Sequence, residues 1–370
     1  IYEWADRDDA GALAWARPFM SQAVEAFATL ADAQERTVPW WTPGWTGDTL
    51  AWLDGCLTEA GMRRVGRVAQ VKNDWQSVVM RAPTDDGDVY LKALAPPGDR
   101  EITVFCDVLA PGPHVPCILG VDKTNGLLLM RDVGGVNPSK CERGSVSATD
   151  LRRLTEGYAR IQRATAHVDP EAVFDCRLER MPELLSATLD NFPSLLAGSP
   201  YEAPASDIAR ARELIPVLAR VCRAVDEAGI PHHLVHADLD GNTAVTPDGP
   251  VFFDWGAGYV SHPFFDVYEF EDSIGNVTDE RGTAAAIDHY LRVWTEFGSV
   301  EELRRVVATL RAVSCAPGLT KGAHCLCHLP DANSPLRAMP YAPLSVAGER
   351  WQRGMPRSLR RLCDDLVKVE

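Results

Sequence analysis

The spacing of apolar side chains changes period along this chain, and each change marks an element. Over residues 46–60, Leu50, Trp52, Leu53 and Leu57 recur at helical spacing and predict a helix with those side chains inward. From 63 to 133 the period drops to two. Residues 67–71, 77–81, 89–94, 116–121 and 126–132 read as five strands, with Asp85-Asp86-Gly87 turning the second into the third. One helix over 99–109 interrupts them after the third strand. Helical period returns at 148–166, where Leu151, Leu154, Tyr158, Ile161 and Ala164 form a stripe, and again at 181–192, 207–228, 284–297, 300–313 and 351–369. Residues 315–347 hold several prolines and are expected to be irregular. Near the start, Phe19, Val24, Phe27 and Leu30 predict a helix over 18–33, with Pro18 at its first position, where no N–H is needed. Trp40, Trp41 and Trp45 follow in a turn-rich linker and read as packing anchors, with ligand stacking as the rival role. Together this is an α+β chain: a small antiparallel region, then a larger, mostly helical one.

One stretch breaks the helical run. Leu234-Val235-His236-Ala237-Asp238-Leu239-Asp240-Gly241-Asn242 is followed by Val251-Phe252-Phe253-Asp254-Trp255-Gly256. It reads as strand, polar loop, short strand, turn, strand, with an aspartate at the strand end. Pro247-Asp248-Gly249-Pro250 is the turn. The hairpin brings Asp238, Asn242 and Asp254 to one end of a small sheet. One carboxylate there can take a proton from a hydroxyl while the other and the amide hold magnesium on a nucleotide.

This stretch resembles the catalytic and metal loops of the aminoglycoside phosphotransferases, relatives of the protein kinases. His236-Ala237-Asp238 and Asp254-Trp255-Gly256 match the two ends of the kinase pattern. The spacing departs: Asn242 stands four residues after Asp238, where the family has five. A shorter loop reaches less far, but Gly241 can take positive φ and re-aim the next side chain. The resemblance, carried over residues 46–313 by motif order, implies a two-lobe kinase-like fold. A five-stranded nucleotide-binding N-lobe would span 46–133, a catalytic and substrate-binding C-lobe 134–370, and a helical extension 1–45.

The resemblance also implies roles. Asp238 would orient or deprotonate the acceptor hydroxyl, and Asn242 and Asp254 would hold Mg2+. Lys92, on the third strand, would hold the α and β phosphates of ATP (or GTP), paired with Glu101 on the following helix. Taken alone, Lys92 is an ordinary strand lysine, and Asp99 competes with Glu101. Ser77 follows a turn, 72–77, that stands where a phosphate-covering loop belongs but lacks its glycines. It could approach the phosphates, with a plain hairpin turn as the rival. Met130 and Asp132 fall in a hinge, 130–134, whose backbone would read the adenine edge. His236 would brace the loop. Asp266 reads either as a tie to the catalytic-loop backbone or as a substrate contact. With Glu269, Glu271 and Asp272 it forms an acidic run, either a solvated helix face or a wall for an amine-bearing substrate.

Composition narrows the partners. Of 370 residues, 37 are basic and 52 acidic, a net charge of −15. Up to Val133 there are 12 basic and 19 acidic residues, and 25 and 33 after it, so the acidity covers both halves. That argues against nucleic acid or an anionic membrane, and permits a cationic small-molecule substrate. No apolar run approaches the roughly 20 residues that span a bilayer. The first residues show no basic stretch followed by an apolar core, so no leader is expected. Ten scattered cysteines suit reduced thiols in a cytoplasmic protein. His324, Cys325, Cys327 and His328 do not have zinc-site spacing and read as helix or turn residues.

The reading is an ATP-dependent small-molecule O-phosphotransferase acting on an aminoglycoside or similar antibiotic. Its alternatives are a kinase of a nucleoside antibiotic, amino sugar or other alcohol, a nucleotide-binding pseudoenzyme, and a metal-dependent hydrolase. Oligomeric state is not legible.

Overall fold

The structure, a computed structural model, describes residues 39–41, 44–73, 76–95, 99–197, 201–327 and 343–370. The expected helix over 18–33, the turn residues Asp74 and Trp75, and residues 328–342 lie outside them.

The alternating region forms one antiparallel five-stranded sheet. Its strands are β1 (Ala69–Asn73), β2 (Ser77–Thr84), β3 (Gly87–Leu94), β4 (Ile118–Asp122) and β5 (Leu127–Arg131), in the order β1-β2-β3-β5-β4. β2 and β3 pair along eight residues, from Ser77 opposite Leu94 to Thr84 opposite Gly87. Gly87 takes φ 90° in the turn, a conformation that favours glycine. The irregular pairing between Gln70 and Lys72 in β1 leaves Val71 59% exposed.

The described residues fall into two compact units. The first takes those up to Ala95 and Leu119–Met130. Helix α1 (Trp45–Glu59) lays Leu53 and Leu57 against Val78, Met80, Val89, Leu91 and Leu129 of the sheet. Trp40 joins that core and meets Trp45 edge-on at 6.3 Å, so both act in packing. Sealing these side chains from water is what stabilises so small a sheet.

The second unit holds Asp99–Ile118, Arg131 to the helix ending at Cys327, and the last helix from Glu349. It opens with α2 (Arg100–Thr103), which widens into a π-turn over Val104–Val108 in place of the regular helix expected there. Next come α3 (Ala148–Ala164) and α4 (Met181–Leu196). The helix expected over 207–228 is two, α5 (Ala205–Glu213) and α6 (Ile215–Asp226), broken at Leu214. Pro216 causes the break, because it has no N–H for the preceding turn and its ring crowds that turn's carbonyl.

Two small strand pairs interrupt the helices. β6 (His233–Val235) pairs with β9 (Tyr259–Ser261), and β7 (Thr243–Thr246) with β8 (Gly249–Phe252). The chain closes with α7 (Asp266–Val277), α8 (Glu280–Arg292), α9 (Val300–Leu310), α10 (Cys315–Cys327) and α11 (Pro343–Val367). α10 corrects the expectation of an irregular stretch from 315. Pro317 lies in its first turn, where a missing N–H costs nothing, and Ala316, Leu319, Ala323 and Leu326 make a buried stripe facing α4. Among the described residues no helix is long and apolar enough to cross a membrane.

Candidate active site

The site is built on β6 and the β7–β8 hairpin, within the second unit. β6 is buried throughout, and its register sets Val235 opposite Tyr259. The chain then leaves the strand through Ala237, at φ 62°, which puts Asp238 at the surface. A left-handed alanine costs about 1–2 kcal/mol. Asp266, fully buried at the start of α7, offsets that cost. Its carboxylate accepts the N–H of His236 at 2.8 Å and of Ala237 at 2.9 Å. Tyr158 donates its hydroxyl to the same carboxylate, and Gln162 Nε2 donates at 3.2 Å. Gln162 is itself fixed by the Tyr290 hydroxyl at 2.6 Å. Burial raises the Asp266 pKa to about 6 against the pull of these donors.

His236 braces the loop from its other side. Burial lowers its pKa to about 4, so the ring is neutral at pH 7. Its Nε2 lies 2.9 Å from the Phe253 carbonyl, which makes Nε2 the protonated nitrogen, and the ring packs 4.4 Å from Trp255. The residue before Asp254 is thereby tied to the loop that carries Asp238. The Phe253 N–H also donates to the Asn242 carbonyl at 3.1 Å.

The shortened loop closes in a tight turn. The Asn242 N–H donates to the Leu239 carbonyl at 3.2 Å, and Gly241 takes φ 85°. Asn137 Nδ2 donates to the Gly241 carbonyl at 2.7 Å. Asn242 Nδ2 reaches back to the Asp238 carbonyl at 2.8 Å, leaving Oδ1 as the acceptor end of the amide. Asp254, at the end of β8, takes φ 60°, which aspartate tolerates better than most residues. Gly256, just beyond, has Glu101 Oε2 3.3 Å and Asp254 Oδ1 3.8 Å from the point where a Cβ would stand. Glu101 is fully buried, and the structure thus brings it to the Asp254 loop, whereas Asp99 is only half-buried.

The other expected residues are placed as follows. Lys92 is 6% exposed on β3, opposite Val79. Ser77 is not part of the preceding turn. It is the first residue of β2, paired with Leu94 and 2% exposed. Met130 is buried on β5, and Asp132 caps a turn by accepting the Gly134 N–H at 3.1 Å.

The acidic run divides. Asp266 has no exposure and serves the loop, so its substrate-contact reading is corrected. Glu271 points elsewhere and pairs with Arg311 at 2.5 Å, lining a separate 540 Å³ cavity with Asp279, Asp288 and Arg304. It too is withdrawn from the wall. Asp272 is exposed. Glu269 is half-buried, and burial plus the charges of Asp266, Asp238, Asp272 and Asp240 raise its pKa to about 7. Three residues escaped the sequence reading. Tyr158 stood in the apolar stripe of α3 and Gln162 next to it, with nothing to mark them as loop supports. Lys321 lay in the stretch read as irregular, yet α10 carries it to the Asp254 loop, where Nζ donates to the Ala257 carbonyl at 2.5 Å.

The sequence profile of the phosphotransferase enzyme family matches residues 68–303. The chain belongs to that family. This phosphotransferase therefore acts on an alcohol group of a small molecule, and the family implies use of a nucleotide. No curated protein matches the chain. Among solved structures it is similar to a choline kinase from Cryptosporidium parvum, with 8% identity, 87% of this chain and 93% of that one covered, and a TM-score of 0.53. It is likewise similar to a mutant aminoglycoside 2′-phosphotransferase-IIIa in complex with GDP, at 13% identity, 86% and 97% coverage and a TM-score of 0.50. A choline/ethanolamine kinase family protein from Mesorhizobium loti aligns at 18% identity, 87% and 98% coverage and a TM-score of 0.46. For the first two the likeness is one of fold, the two-lobe protein-kinase-like fold expected from the sequence.

Within the phosphotransferase, the donor set can be weighed for magnesium. Among the described residues no group of three or more His, Cys, Asp or Glu is arranged to hold a metal ion. Cys325 is buried on α10. One carboxylate and one amide oxygen, Asp254 and Asn242 Oδ1, suit magnesium, which keeps waters and takes its remaining ligands from phosphates.

Proposed function

We propose that this phosphotransferase moves the γ-phosphate of ATP or GTP to a hydroxyl of an aminoglycoside or similar amine-bearing antibiotic, and so inactivates it. The observation that carries this reading is Glu269. It is a half-buried carboxylate whose pKa burial first, and then the charges of Asp266, Asp238, Asp272 and Asp240, raise to about 7, so an ammonium group beside it would relieve both the repulsion and the cost of its charge. An acceptor whose amine rests there can present a neighbouring hydroxyl to Asp238, which lies at the surface just after the backbone that Asp266 holds.

Asp238 then takes the hydroxyl proton as the oxygen bonds to the γ-phosphorus and the bond to the departing ADP or GDP breaks. Asp254 and Asn242 would hold magnesium, which would neutralise charge on the phosphates. Lys92 is assigned to the α and β phosphates, Glu101 to Lys92, and the backbone at Met130 and Asp132 to the base, on the resemblance alone. The same holds for the lobe limits 46–133 and 134–370 and for a cytoplasmic location. The Gly241 turn supports turnover over an inactive module, since Asn242 still folds back onto Asp238 despite the missing residue.

The test is a panel of aminoglycosides, nucleoside antibiotics, amino sugars, choline and ethanolamine with labelled ATP and GTP. Amine-bearing acceptors should be phosphorylated, and Glu269→Gln should raise their KM more than it lowers kcat. Preference for neutral alcohols, with KM untouched in Glu269→Gln, would overturn the choice of substrate class.

A further inference from the structure

Lys321 has no role in the account above, and its position asks for one. It projects from α10, whose neighbouring Thr320 is buried and meets Cys176 Sγ at 3.7 Å, so the helix is pinned where the lysine leaves it. Nζ donates to the Ala257 carbonyl at 2.5 Å. Ala257 ends the short turn Trp255–Ala257 that follows Asp254, and the Gly258 N–H closes that turn on the Trp255 carbonyl at 2.8 Å. The lysine thus grips the far end of the loop whose near end His236 grips at Phe253. Asp254 sits between the two grips at positive φ.

The charge matters as well as the bond. Desolvation lowers the Lys321 pKa, and Cys325, Asp238, Cys176 and Glu269 act against that shift. The same ammonium stabilises the Asp266 carboxylate. A neutral donor would make the bond to Ala257 without the desolvation penalty. A lysine kept in such surroundings is therefore poor economy for stability alone.

Resting on the phosphotransfer reading, we propose that Lys321 is a positioning residue of the site: its bond to Ala257 fixes the 254–258 loop and so aims Asp254 at the nucleotide-bound magnesium. It touches neither the phosphates nor the acceptor. Partners that orient a metal ligand typically contribute about 10-fold or more to metal affinity.

The experiment measures ATP affinity by calorimetry with and without Mg2+, together with the thermal midpoint of the ligand-free protein, for wild type, Lys321→Met and Lys321→Arg. In Lys321→Met the gain in affinity that Mg2+ provides should fall by about 10-fold. Affinity without Mg2+ should stay within about twofold, as expected when only the metal contribution is lost. The midpoint should fall only slightly, because the Ala257 carbonyl loses its donor while a desolvated charge is also removed. Lys321→Arg, which keeps donor and charge, should retain most of the gain. An unchanged gain in Lys321→Met overturns the inference, and so does a loss of gain in both variants that tracks a fall in midpoint, which marks a structural prop. If the wild type itself shows no Mg2+-dependent ATP binding, the phosphotransfer reading fails first, and that result is distinct from either of these.

Discussion

The Asp266 carboxylate holds Ala237 in a conformation that alanine does not choose: Oδ1 accepts the Ala237 N–H at 2.9 Å while φ stands at 62°. The other oxygen takes the His236 N–H at 2.8 Å, so one buried side chain sets the exit of the catalytic loop. Asp266→Asn turns one acceptor into a donor facing an N–H. It should cost roughly 1–3 kcal/mol in urea unfolding, the penalty of a buried donor left unmatched. kcat should fall with it, since Asp238 is aimed by this loop. A variant with wild-type stability and rate would remove Asp266 from that role.

Histidines buried in the neutral state should make the fold sensitive to acid. Burial lowers the pKa of His233 and His236 to about 4 and of His262 to about 3. The unfolded chain binds protons at these groups near pH 6.5, before the folded one does, so each favours unfolding as pH falls from there. Asp266 and Glu269, raised to about 6 and about 7, act the other way over part of that window, but are two against three. Unfolding free energy should therefore decline from pH 6.5 toward pH 5. His262→Asn keeps an acceptor for the Phe264 N–H and removes the titration, so the slope should flatten by about 1.4 kcal/mol per pH unit. Equal slopes in wild type and variant would show that His262 is not the group responsible.

Asp238→Ala should abolish transfer and spare nucleotide binding, because the role proposed for the side chain is at the acceptor hydroxyl and not at the nucleotide. The loss of kcat should reach about 100-fold, the usual scale for a general base. Retention of more than about a tenth of wild-type kcat would exclude that role.

Asp254→Asn should weaken nucleotide binding only where Mg2+ contributes, since a hard cation loses an anionic oxygen. Titration with and without Mg2+ reads this directly. The same ratio of affinities in wild type and variant would mean that Asp254 is not a ligand.

Local pattern and local chemistry determined much of this protein. The short runs along 63–133 and the turns between them were enough for a five-stranded sheet, although burial comes near to alternating only along β2. The spacing of Leu151, Leu154 and Tyr158 was enough for α3. The hairpin around Pro247-Asp248 was legible as well, since a turn is contiguous in sequence. So was the use of Gly241 as the hinge of a shortened loop. Local pattern failed at Pro216 and Pro317, where the same residue type broke one helix and opened another according to its position in the turn. What tertiary structure decided was the service each polar group performs. Asp266 and Glu269 are three residues apart on one helix, yet one is consumed by the loop backbone from 29 residues away and the other remains beside Asp238. Ser77 looked available and lies buried in a strand, while Lys321 looked incidental and reaches Ala257 across 64 residues of sequence. Hydrogen bonds between distant segments, and the burial that makes them costly to lose, exist only once the chain has folded.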